Sequence, residues 1–387
     1  RVIPMLPELI SNGLASLQPR KNRFAKTVFI EFSPEGHVTD VTLHRSVIRS
    51  SKRLTYEEVD AFLESPEAFR RKFGKKVCEL LLRMRDLARL LRRKRQERGA
   101  LELSMPELKV DLDRNEDVVG AHVVPYTESH QMIEEFMLVT NEAVAEQLRN
   151  RDWLFLRRVH KPPALRRLNH LREFVAELGY AADELDNPFS LQRLLQTVRG
   201  TPHEYAVNYA VLRSLKRAAY SPADEGHFAL ASDCYCHFTS PIRRYPDLTI
   251  HRLVDALILG QTPPMDPAAL AALGRHCTDQ ENRAEMAERE LTKLKLLRYL
   301  NERVGMEMNA VITGVEKFGL FAQGLELPCD GFIHINALSD DYYVFDAASR
   351  SLTGRMTGRR LRLGDVVRVA VAGVDLERRE LDFRLLG

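Results

Sequence analysis

No run of this 387-residue sequence is apolar for the length of a membrane span, and its first residues lack the basic, apolar and small segments of a secretory leader. Neither a membrane-spanning nor a secreted protein is expected. Cysteine is scarce and odd in number: Cys78, Cys234, Cys236, Cys277 and Cys329. Five thiols do not make a disulfide scaffold, and the simplest compartment for them is a reducing cytoplasm. Charge of one sign is also missing. The 57 lysines and arginines nearly balance 54 acidic residues, leaving +3. Composition alone therefore demands no polyanionic partner, although clusters can be basic where the total is not. P-loop and dinucleotide fingerprints are absent, and Ser240 does not sit in a nucleophile elbow. Cys234-x-Cys236-His237 with His276-Cys277 lacks the usual zinc spacing, so these thiols are assigned to an apolar core. What remains is 44% hydrophobic and 29% charged residues, a soluble globular balance long enough for two or three domains. The chain opens on Arg1 rather than methionine, and is expected to be a piece or a processed product of something longer.

The most constrained stretch is His237-Phe238-Thr239-Ser240-Pro241-Ile242-Arg243-Arg244-Tyr245-Pro246-Asp247-Leu248. Proline disfavours helix in the residue before it, so Ser240 and Tyr245 are expected to be extended and the two arginines to sit on a stiff turn. Pro246 and Asp247 suit the first turn of a helix, whose buried face is Ile250, Leu253, Val254, Leu257 and Ile258. Two guanidinium groups beside a helix start suit an anion such as phosphate. A capped turn whose arginines pair with carboxylates is the other reading of the same residues.

Residues 1–23 read as an irregular connection. Phe24 to Phe32 and Val38 to Ile48 alternate around Ser33-Pro34-Glu35-Gly36, a hairpin signal. Thr55 and Glu58 form a capping box. A helix follows from about Lys76 to Arg98, with Val77, Leu80, Leu81, Met84, Leu87, Ala88 and Leu91 inward and Gly99 as its cap. Its other face carries Arg83, Arg85, Arg89, Arg92, Arg93, Lys94, Arg95 and Arg98, which is either a solvated face or a contact for RNA. Asp111, Asp113 and Asn115 imitate a calcium loop, but Glu116 and His122 stand at its required glycine and acid positions, so a simple turn is expected. The helix His130 to Leu148 is expected to bury Ile133, Phe136, Met137, Thr140 and Val144. Residues 150–220 read as a helical hairpin or small bundle broken at Pro162-Pro163, Asn187-Pro188 and Gly200-Thr201-Pro202. Thr262-Pro263-Pro264 separates the central helix from a long one over Ala268 to Leu300. Beyond Val304 short strands and glycines predict a five-stranded OB-type barrel.

That last segment resembles the S1 domain. The resemblance rests on Val311-Ile312-Thr313-Gly314-Val315, Phe318-Gly319-Leu320-Phe321, Asp330-Gly331-Phe332-Ile333-His334 and Leu363-Gly364-Asp365-Val366-Val367-Arg368-Val369. It implies that Phe318, Phe321 and His334 face RNA, with Asp375 and Arg379 near the last turn. Exposed rings stacking on bases fit that role, while phenylalanines filling the barrel is the competing reading.

The main body resembles the RNB catalytic domain of the ribonuclease II family of exoribonucleases. The residues that carry this are Arg1-Val2-Ile3-Pro4-Met5-Leu6-Pro7-Glu8, Leu14-Ala15-Ser16-Leu17, Arg53-Leu54-Thr55-Tyr56, Arg98-Gly99-Ala100-Leu101-Glu102, Ile133-Glu134-Glu135-Phe136-Met137, Tyr220-Ser221-Pro222 and, above all, Ser240 through Asp247. Arg244-Tyr245-Pro246-Asp247, Asp341 through Asp346 and Thr357-Gly358-Arg359 are closest to the ribonuclease R branch. The resemblance implies a mixed α/β (α+β) body with helices around a β-sheet over 1–302, then the S1 barrel over 303–387. It implies processive hydrolysis of single-stranded RNA from its 3′ end to nucleoside 5′-monophosphates by a cytoplasmic monomer using Mg2+. Carried onto matching positions, Arg243 meets the scissile phosphate with Arg244 in support. Glu134 lies near the 3′-terminal nucleotide, Glu288 is an acidic residue near the same pocket, and Tyr245 is counted among the RNA contacts. Leu103 aligns where ribonuclease II has a base-clamping phenylalanine. The family's magnesium-binding aspartates lie upstream of the Pro4-Met5-Leu6-Pro7 segment, so no metal ligand is assigned within this sequence. These residues alone are expected not to degrade RNA. A non-catalytic RNA-binding protein that keeps the channel and the barrel is the alternative.

Overall fold

Alternation of apolar and polar residues builds the first hairpin. In this computed structural model, which describes residues 3–103, 107–181, 185–201, 203–264, 266–346 and 351–386, strands β1 (Asn22–Phe32) and β2 (Val38–Arg49) pair antiparallel, with Val28 opposite Leu43. The turn is the expected one: Gly36 has φ 83 and donates to Ser33 O. The stretch before β1 is less irregular than expected, because Leu9–Leu14 closes a short π-helix. Arg1, Val2 and Pro202 lie outside the described residues.

The chain divides into two compact units that interleave in sequence. One holds Arg1–Leu101, Tyr126–Pro162 and Lys216–Gln280; the other holds Glu102–Pro125, Pro163–Leu215 and Glu281–Gly387.

In the first unit, helix α1 (Tyr56–Glu64) starts on the expected capping box. Thr55 Oγ1 accepts from Glu58 N and Glu58 Oε2 from Thr55 N, both at 3.2 Å. Such a box is worth about 1 kcal/mol. Helices α2 (Pro66–Phe73) and α3 (Lys75–Glu97) follow, the latter ended by Gly99 at φ 104. The inner stripe of α3 is Cys78, Leu81, Ala88, Leu91 and Arg95; Leu80, expected inside, is 56% exposed. Likewise α4 (Glu128–Arg149) buries Met132, Glu135, Asn141, Val144 and Leu148 but exposes Met137. In both helices a buried polar residue belongs to the inner face, which a stripe drawn from apolar residues alone misplaces. The basic face of α3 is divided: Arg83 and Arg93 are exposed, while four other arginines reach residues of α4. Arg89 pairs with Glu128 (2.5 Å), Arg92 with Gln131, Arg95 with Glu135 (2.6 Å) and Arg98 with Glu142 (2.8 Å), so these cations are spent on the seam with α4.

Two short strands, β5 (Arg157–Val159) and β6 (Ala219–Ser221), pair antiparallel where only helix was expected. Helix α8 (Tyr245–Ile258) packs Ile250 and Val254 against Val144, Leu148, Phe155 and Phe238. Helix α9 (Pro267–Asn301) gives its first part to this unit and the rest to the other.

In the second unit, β3 (Leu108–Leu112) and β4 (Val118–Val123) form a hairpin. Asp113 Oδ1 accepts the amides of Asn115 (2.8 Å) and Asp117 (2.9 Å), a self-capped turn rather than a calcium loop. Helices α5 (Leu165–Glu177), α6 (Pro188–Val198) and α7 (Glu204–Ser214) make the expected small bundle. Strands β7 (Glu307–Glu316), β8 (Gly319–Gly324) and β9 (Asp330–His334) join β13 (Val366–Asp375) and β14 (Glu380–Leu385) in a closed barrel of order β13-β14-β9-β8-β7. Between them β10 (Tyr343–Asp346), β11 (Ser351–Gly354) and β12 (Arg360–Arg362) form a separate three-stranded sheet that the sequence did not disclose. The barrel is filled by Ile312, Leu320, Ile333, Val369, Leu381 and Phe383. Phe383 needs Gly331, where a Cβ would stand 2.3 Å from its ring. The fold is thus a mixed α/β body followed by a five-stranded barrel. Among the described residues, however, the body strands pair only as two-stranded ribbons, not as one helix-wrapped sheet.

Candidate nucleic-acid site

The stiff turn over residues 237–247 is present, and the structure shows what stiffens it. Ser240 O accepts the amides of Arg243 (3.3 Å) and Arg244 (3.1 Å). Asp247, fully buried in the first turn of α8, accepts Ser240 N at 2.7 Å through Oδ1. The same carboxylate takes Arg244 by a fork, Nε to Oδ2 and Nη2 to Oδ1, both at 2.8 Å. The carboxylate-paired reading holds for one of the two arginines. Arg244 is a carboxylate-paired cap. Arg243 is exposed, and its side chain makes no hydrogen bond or ion pair with the described residues. Tyr245, expected to be extended, is the first residue of α8, and the extended residue is Arg244 at φ −129, ψ 120. The Tyr245 ring is 40% exposed, with the Arg252 guanidinium 5.8 Å from its centre.

Glu134 is partly buried on α4 and accepts a hydrogen bond from the hydroxyl of Tyr126, whose ring is largely exposed. Burial and this carboxylate push the Tyr126 phenol well above its ordinary pKa. Tyr126 was not singled out in the sequence, because it precedes the helix and belongs to no motif. One turn of α4 before Glu134, His130 stacks on Tyr56 with ring centres 3.9 Å apart. Leu103, the residue standing for the clamping phenylalanine, is partly buried. Glu288 is exposed on α9.

On the barrel, Phe318 and Phe321 are 45% and 43% exposed, so they do not fill the interior. They form a strip with Phe332, 5.7 and 5.2 Å from them, and with His334, 5.9 Å from Phe332. Phe332 was missed, although strand alternation places it on the same face as His334. Asp375 Oδ1 caps the last turn through the amides of Glu377 (3.0 Å) and Arg378 (2.8 Å). Arg379 pairs with Glu290 of α9 at 2.7 Å.

Behind the turn lies a group of rings that the sequence did not bring together. His227, Tyr235 and His237 stand in edge contacts of 5.6 and 5.7 Å, and the Tyr220 hydroxyl meets His237 Nδ1 at 2.9 Å. Burial, with Arg244, Arg158 and His227 nearby, depresses His237 to about 2; burial and His160 depress His227 to about 3. Both imidazoles are neutral in the folded protein, whereas an unfolded histidine titrates near 6.5. Their contribution is complete above about pH 6.5. It is lost as the pH falls from there toward about 3, because the unfolded chain takes up protons that the folded one refuses. Glu135, raised by burial despite Arg95, opposes this in part of the range. The urea midpoint is expected to fall between pH 7 and 5, and less steeply in the double variant His227→Gln/His237→Gln. An unchanged slope in that variant would count against the assignment.

Cys234 and Cys236 pack with Phe155, Phe238 and Ile250, and burial raises both thiols. Among the described residues no three His, Cys, Asp or Glu side chains gather to hold a metal ion. No described helix is long and apolar enough to cross a membrane.

Comparison with known proteins gives these features a context. The family model described as RNB domain matches residues 1–260, and that of the S1 RNA binding domain matches 302–385. The sequence is 38% identical over 390 residues to ribonuclease R of Aquifex aeolicus, covering all of this chain and 55% of that protein. The chain thus spans about half the length of the curated relatives it matches. Solved structures of Mycoplasma genitalium RNase R, 28% identical, superpose with a TM-score of 0.90 over all of this chain and 61% of theirs; they include an apo form and a complex with ribose-methylated single-stranded RNA. The same protein with double-stranded RNA gives 0.83 at 26% identity, covering 99% of this chain and 64% of that one. Yeast Ssd1, a pseudonuclease, shares the fold at 21% identity, with a TM-score of 0.72 over 91% of this chain and 44% of its own.

Proposed function

This chain belongs to the RNB family and carries an S1 RNA-binding domain, and on that premise we propose that its residues serve a 3′-to-5′ exoribonuclease of the ribonuclease R type. The substrate is RNA with a single-stranded 3′ end, and the product nucleoside 5′-monophosphate. The observation that carries the reading is the pinned turn that leaves Arg243 exposed while Arg244 is held by Asp247. To release a 5′-monophosphate, a water oxygen bonds to phosphorus as the bond from phosphorus to the 3′ oxygen breaks. Negative charge then grows on the non-bridging oxygens. A guanidinium carried on a backbone turn already pinned in place stabilises that charge with little reorganisation. Glu134, steadied by Tyr126, contacts the terminal nucleotide in this reading. The strip of Phe318, Phe321, Phe332 and His334 stacks on bases without sequence preference.

Magnesium is proposed as the cofactor of an exoribonuclease that has the relatives' remaining length, where it would activate the attacking water; no step here is routed through it. The lack of a metal-binding cluster among the described residues favours a second reading for these 387 residues taken alone, as a protein that binds RNA without cutting it. End-labelled single-stranded RNA with Mg2+ tests this. Binding without mononucleotide release is expected, and mononucleotide release would overturn the second reading. In the same binding assay Phe318→Ala and Phe321→Ala are each expected to weaken RNA binding by about 1–3 kcal/mol, roughly 5- to 160-fold. Unchanged affinity in both would remove the barrel strip from the RNA surface.

A further inference from the structure

The turn that presents Arg243 is tied not only to its own helix but also to α4. Asn141, 2% exposed and about two helical turns beyond Glu134 on the same helix, accepts the amides of Phe238 (2.9 Å) and Thr239 (3.3 Å) through Oδ1. Its Nδ2 donates to the Tyr235 hydroxyl at 2.9 Å. On the other side His251 Nε2 meets Phe238 O at 2.9 Å, its ring stacked on Phe238 with centres 4.2 Å apart. With Asp247 on Ser240 N, every amide from Phe238 to Ser240 is bound by a side chain from a neighbouring helix. A buried amide group and a buried carboxylate are costly unless all their partners are met. Here they are met almost entirely by the backbone and side chains of one turn.

We propose that Asn141 and Asp247 are positioning residues that lock the Arg243 turn to the helix bearing Glu134, fixing the spacing between the scissile phosphate and the terminal nucleotide. The inference rests on the exoribonuclease reading above. It also redefines Arg244, which acts through Asp247 rather than on RNA. A displacement of about 1 Å at a reacting group can cost roughly a hundredfold in rate. Loosening the turn therefore acts on kcat, while the RNA gripped elsewhere keeps its affinity.

The test uses the complete exoribonuclease carrying Asn141→Leu or Asp247→Asn, with hydrogen exchange followed at the amides of residues 238–244. Faster exchange there is expected, with a ten- to hundredfold loss of kcat and KM changed by less than about threefold. In an Arg243→Ala background the same changes are expected to cost no further kcat, because the group they position is gone. Tyr235→Phe, which removes only the Nδ2 partner, gives a milder loss in the same direction and serves if Asn141→Leu does not fold. Faster exchange with kcat unchanged, or losses that add fully to that of Arg243→Ala, would overturn the positioning role. If Arg243→Ala itself leaves turnover intact, the exoribonuclease reading of the turn fails instead.

Discussion

Replacing Arg243 by alanine in the complete exoribonuclease is expected to lower kcat by about 10²–10³-fold, the usual cost of one preorganised donor at a developing oxyanion, with RNA affinity nearly unchanged. The asymmetry follows from where the side chain stands. Arg243 is exposed and unpaired among the described residues, so its removal leaves no buried charge and disturbs no packing. Arg244 is the contrast. Its removal strands Asp247, which has no exposed surface and, among the described residues, only Ser240 N besides the arginine fork. Arg244→Ala should therefore unfold the protein at a lower urea concentration as well as slow it. Arg244→Lys should recover little, because an ammonium cannot reproduce the two-pronged contact. Single-turnover kinetics beside a binding isotherm separate the cases. A large loss of affinity with turnover intact in Arg243→Ala would remove it from the reacting phosphate.

Arg95→Ala is expected to destabilise the first unit by about 3–5 kcal/mol, the range for breaking a buried pair from one side. The two side chains are 8% and 4% exposed and are joined by three contacts between 2.6 and 3.3 Å. Screening by salt should hardly alter this pair, whereas the exposed Arg98–Glu142 rung of the same seam should weaken. Burial already raises the pKa of Glu135 against the pull of Arg95. The carboxylate left behind in Arg95→Ala would thus meet its proton at higher pH, and the loss should shrink as the solution is acidified. Replacing both partners, as in Arg95→Met/Glu135→Leu, should return much of the stability, since two apolar chains of similar volume owe no desolvation. Urea unfolding of the three variants at pH 5.5 and 7.5 checks the whole pattern. An additive, pH-independent loss in the double variant would mean that the seam gains nothing specific from the pair.

Local signals were the legible ones. The capping box at Thr55, the Gly36 turn, the boundaries of α8 and α9 within a few residues, and the barrel strands all follow from residues near one another in sequence. The stiff turn that carries Arg243 was legible too, because its prolines confine it. The polar interior was hidden. Glu135 and Asn141 sit among apolar neighbours whose periodicity says nothing about a partner 40 or 94 residues away. The same is true of His160, which precedes the helices α5–α7 yet stands 5.0 Å from His227 beyond them, where β5 and β6 pair. The β10–β12 sheet escaped notice because its strands are only three or four residues long, too short for alternation to register.

The interleaving of the two units bears on the order in which the protein is made. The ribosome emits Glu102–Pro125 and Pro163–Leu215 before Lys216–Gln280, which completes the first unit, and long before the barrel strands. Val118 belongs to the same apolar cluster as Leu320, Val369 and Phe383, so the β3–β4 hairpin waits for about 200 further residues of synthesis before its core exists. At about 5–20 residues per second, the wait is roughly ten to forty seconds. During it the exposed apolar side of the hairpin is a target for chaperones, and a nascent chain halted near residue 302 would hold that side open.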